Sequence, residues 1–329
     1  MSHLGVSEET GVPRRQSRIR APRDPRLYQI GALSALFLYG LAALDLDVSA
    51  SRAALLLSAT LATQFACTRI FRLPAFDPKS ALISGLSLCL LLRTNSAAVA
   101  LLAAAAAITS KFLLRLRGKH LFNPTTFGIL AAMLATGRAW VSPAQWGTAA
   151  FFGFLLACAG GLVVRRSSRS DVTLAFLGSY LALVFGRSLW LGEPMAIPLH
   201  RLQSGALLIF AFFMISDPKT TPDSRTGRVL FGLLVATGAA YVQFRLFRTN
   251  GPLWSLAVFS LAVPVLDRIL PGNRYAWPGA TPARPFPSKG VPDETLRHGA
   301  PRFAPSLRRE PSRAPVLRLL RGPGGRETL

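Results

Sequence analysis

Residues 80–112 read SALISGLSLCLLLRTNSAAVALLAAAAAITSKF, which is two apolar runs separated by a short polar link that contains Arg93. Lys111, close to the end of the second run, is the other charged residue of this stretch. A helix that crosses a bilayer needs about 20 largely apolar residues, and fewer where protein shields it from lipid. The stretch therefore predicts two membrane-embedded helices joined by a tight connection.

The same pattern recurs along the chain and predicts an all-α polytopic membrane protein with about ten transmembrane helices. Two of the predicted segments are short, as is typical of helices that lie inside a bundle and not against lipid. The predicted segments are residues 27–44, 53–68, 80–92, 97–112, 124–136, 146–164, 172–189, 199–215, 229–247 and 253–269.

Charge distribution supports a membrane environment. Hydrophobic residues make up 50% of the chain and charged residues 16%, against about a quarter charged in average soluble domains. A net charge of +23 first suggests nucleic acid, but the basic residues fall between apolar segments, where membrane proteins collect them. We therefore expect the lipid bilayer as partner and no nucleic acid; only the basic tail is left open to contact with RNA or anionic lipid.

Counting basic residues in alternate connections predicts the orientation. One side of the membrane collects 31 Lys and Arg and the other 7, which places both termini in the cytoplasm of a bacterial inner membrane. We expect a cytoplasmic basic arm at residues 1–26, a transmembrane domain at 27–277 and a disordered tail at 278–329. Pro, Gly and Arg dominate the tail, so it buries too little apolar surface to offset its ordering entropy.

Residues 118–128, GKHLFNPTTFG, join a basic loop to the fifth predicted segment. Asn123 is a good N-cap and Pro124 suits a first helical turn, so a well-formed helix start explains the stretch. A helix start also exposes free N–H groups and the positive end of the helix dipole. With Lys119 and His120 nearby, the alternative is a site for a phosphate, a carboxylate or an anionic isoalloxazine edge.

Two further stretches, residues 77–85 and 216–228, are candidates for function. Ser84 and Gly85 lie one turn inside a short helix, where close helix packing is the competing explanation. Asp217 ends an apolar run and is a candidate buried carboxylate, unless it pairs with Lys219 or Arg228 in a turn.

Other chemistry has little support in the sequence. Cys67, Cys89 and Cys158 stand alone, with no Cys or His spacing typical of zinc or iron–sulfur sites, so no metal site is expected. Ser, His and Asp residues do not form a recognisable nucleophile and base, and no phosphate-binding glycine loop follows a strand. No catalytic residue is predicted.

The two halves of the chain show weak internal similarity. Residues 83–86 (ISGL) are similar to 203–206 (QSGA), and 123–126 (NPTT) to 217–221 (DPKTT). Five helices in each half would reverse the orientation of the second half, because an odd number of spans separates the two. The sequence thus suggests two inverted five-helix repeats.

In this order and at these helix positions, the three stretches resemble the family of the membrane subunits RnfD and NqrB, of the ion-translocating Rnf and Na⁺-pumping NADH:quinone oxidoreductase complexes. The resemblance covers residues 23–277. It implies two inverted five-helix repeats similar to urea and ammonium channels, electron transfer coupled to ion transport, and other membrane electron-transport subunits as partners. The residues that match the family pattern are Asp77, Ser80, Ser84, Gly85, Lys119, His120, Phe122, Asn123, Pro124, Ser216, Asp217, Pro218 and Thr220, with Asp267 near the end.

The resemblance also implies a flavin site, with one departure. Family members carry FMN on a threonine in a D-x-x-S/T-G-A-T motif, which this chain lacks; Ser204, Gly205 and Ala206 are followed by Leu207. Covalent FMN is therefore not expected, and noncovalent FMN or riboflavin is left open. The candidate cofactor-binding residues are Ser80, Ser84, Gly85, Lys119, His120, Asn123, Thr126, Asp217 and Thr220.

Two alternatives to an electron-transport subunit stay open. One is a non-redox transporter or channel on the same fold, which the missing flavin motif favours. The other is an accessory membrane protein of a biosynthetic cluster, because the RDPR at residues 23–26 and the H-x-F-N-P motif also resemble UnbU proteins. The sequence leaves open whether the chain is an enzyme; if it is, we expect a component of a membrane oxidoreductase.

Overall fold

The computed structural model describes residues 24–43, 48–142, 160, 161, 163, 169–202 and 204–276. Helices dominate this part of the chain, as predicted, and two short antiparallel strand pairs join some of them. The helices are α1 Pro25–Ala43, α2 Ala50–Ile70, α3 Pro78–Leu91, α4 Ala97–Leu113, α5 Pro124–Thr136, α6 Ser170–Leu191, α7 Ala196–Leu202, α8 Gly205–Ile209 with a π-helix at Phe210–Met214, α9 Arg225–Phe244, α10 Gly251–Ser260 and α11 Val263–Ile269. The strands are β1 Leu92–Arg93, β2 Arg115–Leu116, β3 Lys119–His120 and β4 Trp140–Val141.

The predicted segments agree with most helix bounds to within a few residues. Helix α5 begins and ends where predicted, because Asn123 and Pro124 start it and Gly137 ends it with a left-handed φ of 62°. The predicted segment 146–164 lies almost wholly outside the described residues. Residues 1–23 of the predicted arm and the whole predicted tail from residue 278 also lie outside the described residues, so these assignments stay predictions.

Two predicted segments are not continuous helices, which corrects the prediction. Segment 199–215 is divided between α7 and α8, because Ser204 has extended backbone angles before Gly205 restarts the helix. Helix α8 continues directly into the π-helix at Phe210–Met214, a rare form that is often found at functional sites. Segment 253–269 bends by 52° between α10 and α11, where Pro264 lacks the N–H that a continuous helix needs.

Three of the described helices are long and apolar enough to cross a membrane, namely α2, α6 and α9. The bent pair α10 and α11 makes a fourth if it is counted as one span. Helices α3, α4 and α5 and the α8 segment are apolar but shorter. A membrane-spanning helical protein is therefore supported, whereas the count of ten spans stays a prediction.

The helices pack in two linked groups. In the first half α3 contacts α1 and α2, α2 contacts α4, and α4 contacts α5. In the second half α6 contacts the π-helix and α9, α9 contacts α10, and α10 contacts α5 of the first half. At Gly128 the backbones of α5 and α4 approach closely, since an added Cβ would lie 2.5 Å from the Ala103 carbonyl oxygen. This packing brings the beginnings of α3 and α5 to the link that follows the π-helix.

Candidate functional site

Asn123 connects the two halves of the chain. Its Oδ1 accepts a hydrogen bond from the Thr126 backbone N–H at 3.1 Å, which caps α5 as the sequence predicts. Its Nδ2 donates to the Met214 carbonyl oxygen at 3.3 Å, at the end of the π-helix. One buried side chain thus stabilises the start of one helix and the end of another.

A cavity of about 220 Å³ lies beside Asn123, and we call it the polar cavity. It is bounded by the beginnings of α1, α3 and α5, the end of α4, and the link after the π-helix. The three sequence motifs, which lie far apart along the chain, therefore meet here. The predicted site residues in its lining are Ser80, Ser84, His120, Asn123 and Asp217.

The other predicted site residues lie outside this lining. Gly85 faces α2, and an added Cβ would lie 2.7 Å from the Thr60 hydroxyl oxygen, which supports the packing explanation. The buried Thr126 hydroxyl is 3.4 Å from Asn123 Oδ1. The buried Thr220 hydroxyl donates to the Asp217 backbone carbonyl at 3.3 Å. These residues pack next to the site.

Lys119 belongs to a separate ion-pair cluster, which we call the lysine lock and define as Lys119, Asp223 and Asp267. Lys119 Nζ lies 3.0 Å from Asp223 Oδ1 and 2.7 Å from Asp267 Oδ2, and it also donates to the Thr221 carbonyl oxygen. Asp267 Oδ1 in turn accepts a hydrogen bond from the Asp223 backbone N–H at 2.7 Å. The lock joins β3, the link before α9, and α11, so the Lys119 charge is neutralised within the protein.

The lysines and arginines of the polar cavity are not among the site residues predicted from the sequence. Lys111, only 4% exposed, donates from Nζ to the Ser80 hydroxyl oxygen at 3.1 Å. The only signal for it was a single lysine inside an apolar run. Arg26, Arg115 and Lys219 also line the cavity.

Burial shifts the pKa of two groups in the cavity in opposite directions. Burial, reinforced by nearby Arg115, Lys111 and Lys219, lowers the pKa of His120 to about 3, so its ring is neutral at ordinary pH. Burial raises the pKa of Asp217, although the Lys219 backbone N–H that donates to its Oδ1 at 3.0 Å opposes this shift.

A larger cavity of about 450 Å³ lies toward the opposite ends of the helices, where Leu91 ends α3 and the residues after α9 begin. Tyr180, Phe210 and Phe247 contribute to its lining. The Tyr180 hydroxyl donates to Gln243 Oε1 at 2.6 Å. None of the predicted site residues lines this cavity.

Residues 142–275 match the model of the NQR2, RnfD, RnfE family. The resemblance to the RnfD family is confirmed. The match contains the motif around Asp217 and begins after the motifs at residues 77–85 and 118–128, so those two lie outside it.

Curated relatives are named as the D subunit of an ion-translocating oxidoreductase complex. The Vibrio vulnificus (strain YJ016) protein is 30% identical over 111 residues, 33% of this chain and 31% of the relative. The Erwinia tasmaniensis protein is 30% identical over 152 residues, 45% of this chain and 38% of the relative. The Sodalis glossinidius protein is 32% identical over 139 residues, 41% of this chain and 39% of the relative. The chain thus spans about a third of the length of the relatives it matches.

Proposed function

We propose that this chain is a membrane subunit, or a stand-alone relative, of an Rnf/Nqr-type complex that couples electron transfer to ion transport. The observation that carries the proposal is the meeting of three distant motifs at the polar cavity. The names of the relatives point to the same class of complex. The setting we propose is the bacterial inner membrane, with both termini in the cytoplasm and other electron-transport subunits as partners.

The order of helix contacts supports two inverted five-helix repeats. In the first half, the contacting pairs are α2 with α3, α2 with α4, and α4 with α5. Their counterparts in the second half are, in the same order, α6 with the π-helix, α6 with α9, and α9 with α10. If the predicted segment 146–164 supplies the first helix of the second half, each pair occupies the same position in its repeat. Ten spans then follow, with the polar cavity at the boundary between the repeats.

The boundary between repeats is where coupling would act. Ion transport requires two states of the protein with different affinities for what is bound. The Asn123 contact to Met214 and the lysine lock both cross between distant parts of the chain, so movement of one part against the other would change both. Asp217 and Lys111 would supply the charges whose surroundings change between the two states.

A complete flavin does not fit the polar cavity. The cavity volume of about 220 Å³ is below the roughly 300–1,000 Å³ of typical ligand pockets. The aromatic groups in its lining are the Phe213 ring and the His120 imidazole. The 450 Å³ cavity at the opposite end is within that range. We therefore assign no step to a flavin at the predicted residues.

A non-redox transporter on the same fold is the second candidate. The small polar cavity and the missing flavin attachment motif both favour it. Such a protein would share the fold and the cavity and lack the cofactor.

The absorbance spectrum of the purified, detergent-solubilised protein, before and after acid precipitation, separates these candidates. Flavin released into the supernatant supports electron transfer through a noncovalent cofactor. Flavin that stays in the pellet means covalent attachment, which the sequence argues against. A colourless protein would contradict the redox proposal and favour the transporter.

The site itself is tested by Asp217→Asn and His120→Ala. Both variants should insert normally and lose redox or transport activity, while Arg225→Gln, at an exposed residue outside the polar cavity, should keep it. Full activity in the first two variants would overturn the assignment of the site.

A further inference from the structure

The polar cavity has an excess of unpaired positive charge. Its charged lining residues are Arg26, Lys111, Arg115, Lys219, Asp77 and Asp217. Arg26 pairs with Asp77 and with Asp24. In the described part of the chain, no carboxylate lies within 4.0 Å of the charged nitrogens of the other three basic residues. Three cations therefore share the cavity with the single unpaired carboxylate Asp217.

Lys111 is the most deeply buried of these cations. Its hydrogen bond to the Ser80 hydroxyl satisfies one donor and does not neutralise the charge. Burial of a charge with no carboxylate in direct contact costs free energy, and ionisable residues in membrane helices usually serve a function. A bound anion would offset this cost.

Two helix starts add to the positive potential. Helices α3 and α5 both begin at the cavity, where Ser80 in the first turn of α3 and Thr125 in the first turn of α5 line it. First-turn N–H groups have no acceptor within their own helix, and the positive end of the helix dipole favours anions. At α5 the Asn123 side chain already accepts the Thr126 N–H, whereas no side chain caps α3, so the first turn of α3 in particular favours the same ligand charge as the three cations.

The His120 ring adds a second requirement, which concerns the hydrogen bonds that the ligand makes. The neutral ring has one N–H nitrogen and one acceptor nitrogen. The buried Nδ1 has no hydrogen-bond partner within the described structure. With Nδ1 as the acceptor nitrogen, a ligand that satisfies this atom must donate a hydrogen bond. Nitrate, sulfate and phosphodiesters carry no proton at neutral pH, whereas hydrogenphosphate and hydrogencarbonate do.

We propose that the polar cavity binds a small oxyanion that retains a proton, hydrogenphosphate or hydrogencarbonate. The negative oxygens accept from Lys111, Arg115 and Lys219, and the ligand O–H donates to His120 Nδ1. The cavity of about 220 Å³ accommodates such an ion with water. This site goes beyond the proposed function and does not depend on electron transfer, so a colourless protein would leave it intact.

The test compares phosphate, hydrogencarbonate and sulfate as ligands of the purified full-length protein, at fixed pH and ionic strength. Ligands that bind the folded state raise the melting temperature, and the stabilisation grows as RT ln(1 + [L]/Kd). We expect phosphate and hydrogencarbonate to raise it at concentrations at least about tenfold lower than sulfate, because sulfate leaves Nδ1 without a donor. An equal response to sulfate, or no response to any of the three ions, would overturn the proposal.

Variants identify the cavity as the binding site. Lys111→Met removes the buried charge at similar volume and should weaken phosphate binding about tenfold or more. Arg225→Gln is the matched control and should keep the response. If Lys111→Met fails to fold, Arg115→Gln, at a surface position of the same lining, tests the same point. An undiminished phosphate response in either cavity variant contradicts the site, and stabilisation by phosphatidylglycerol in place of free phosphate contradicts a proton-carrying ligand.

Discussion

Lys111 and Lys119 lie eight residues apart and have opposite environments. Lys119 is held by two carboxylates and a backbone carbonyl in the lysine lock, whereas Lys111 is buried with a serine hydroxyl as its hydrogen-bond partner. Lys119, which belongs to the family motif, is the lysine whose charge is neutralised by carboxylates of the protein. A basic residue in a motif can therefore stabilise the fold, while a nearby lysine outside the motif is buried with no carboxylate in direct contact.

Removing the lock should have the largest effect. Lys119→Met leaves Asp223 and Asp267 close together and without their cation, so we expect a loss of about 3–5 kcal/mol in stability. The measurement is the melting temperature in detergent. Lys79→Met, which breaks the ion pair between Asp24 and the 39% exposed Lys79 side chain, is the control and should cost about 1 kcal/mol or less. Equal losses in the two variants would show that the lock does not stabilise the fold.

An intermediate effect is expected at Asn123, which lies in the wall of the polar cavity. Asn123→Ala removes the cap of α5 and the bond to Met214, and should cost about 2 kcal/mol, roughly one for each. Ser96→Ala removes a cap alone, that of α4, and should cost about 1 kcal/mol. If the two melting temperatures fall equally, the contact to Met214 contributes nothing.

The smallest effect is a pH dependence from His120. Its pKa is about 3 in the folded protein and ordinarily 6.5, so the unfolded chain binds the extra proton between these values. The stability contributed by the neutral ring is present above pH 6.5 and is lost as pH falls toward 3. From pH 7 to 5.5 we expect a loss of up to about 1.4 kcal/mol.

His120→Gln should flatten this part of the profile, measured as melting temperature against pH. His200→Gln, at an exposed histidine, is the control and should keep the slope. An unchanged slope in His120→Gln would mean that another group titrates, and the neutral ring assumed for ligand binding would lose its support.

The sequence predicts the parts of this structure that depend on local chemistry. Asn123 and Pro124 fix the start of α5 because capping needs only neighbouring residues. The break at Ser204 and the bend before Pro264 were missed, because apolar composition continues through both. Lys111 was missed as a site residue for another reason: whether it is paired depends on carboxylates from distant segments, which helix periodicity does not reveal.

The double role of Asn123 has a consequence for hydrogen exchange. Its amide group holds the Thr126 N–H at one helix start and the Met214 carbonyl at one helix end, so separation of the two segments frees both at once. Amide protons near the beginning of α5 and just after the π-helix should therefore exchange with solvent at linked rates, as one cooperative unit. Two segments 91 residues apart in sequence would then open as a single element.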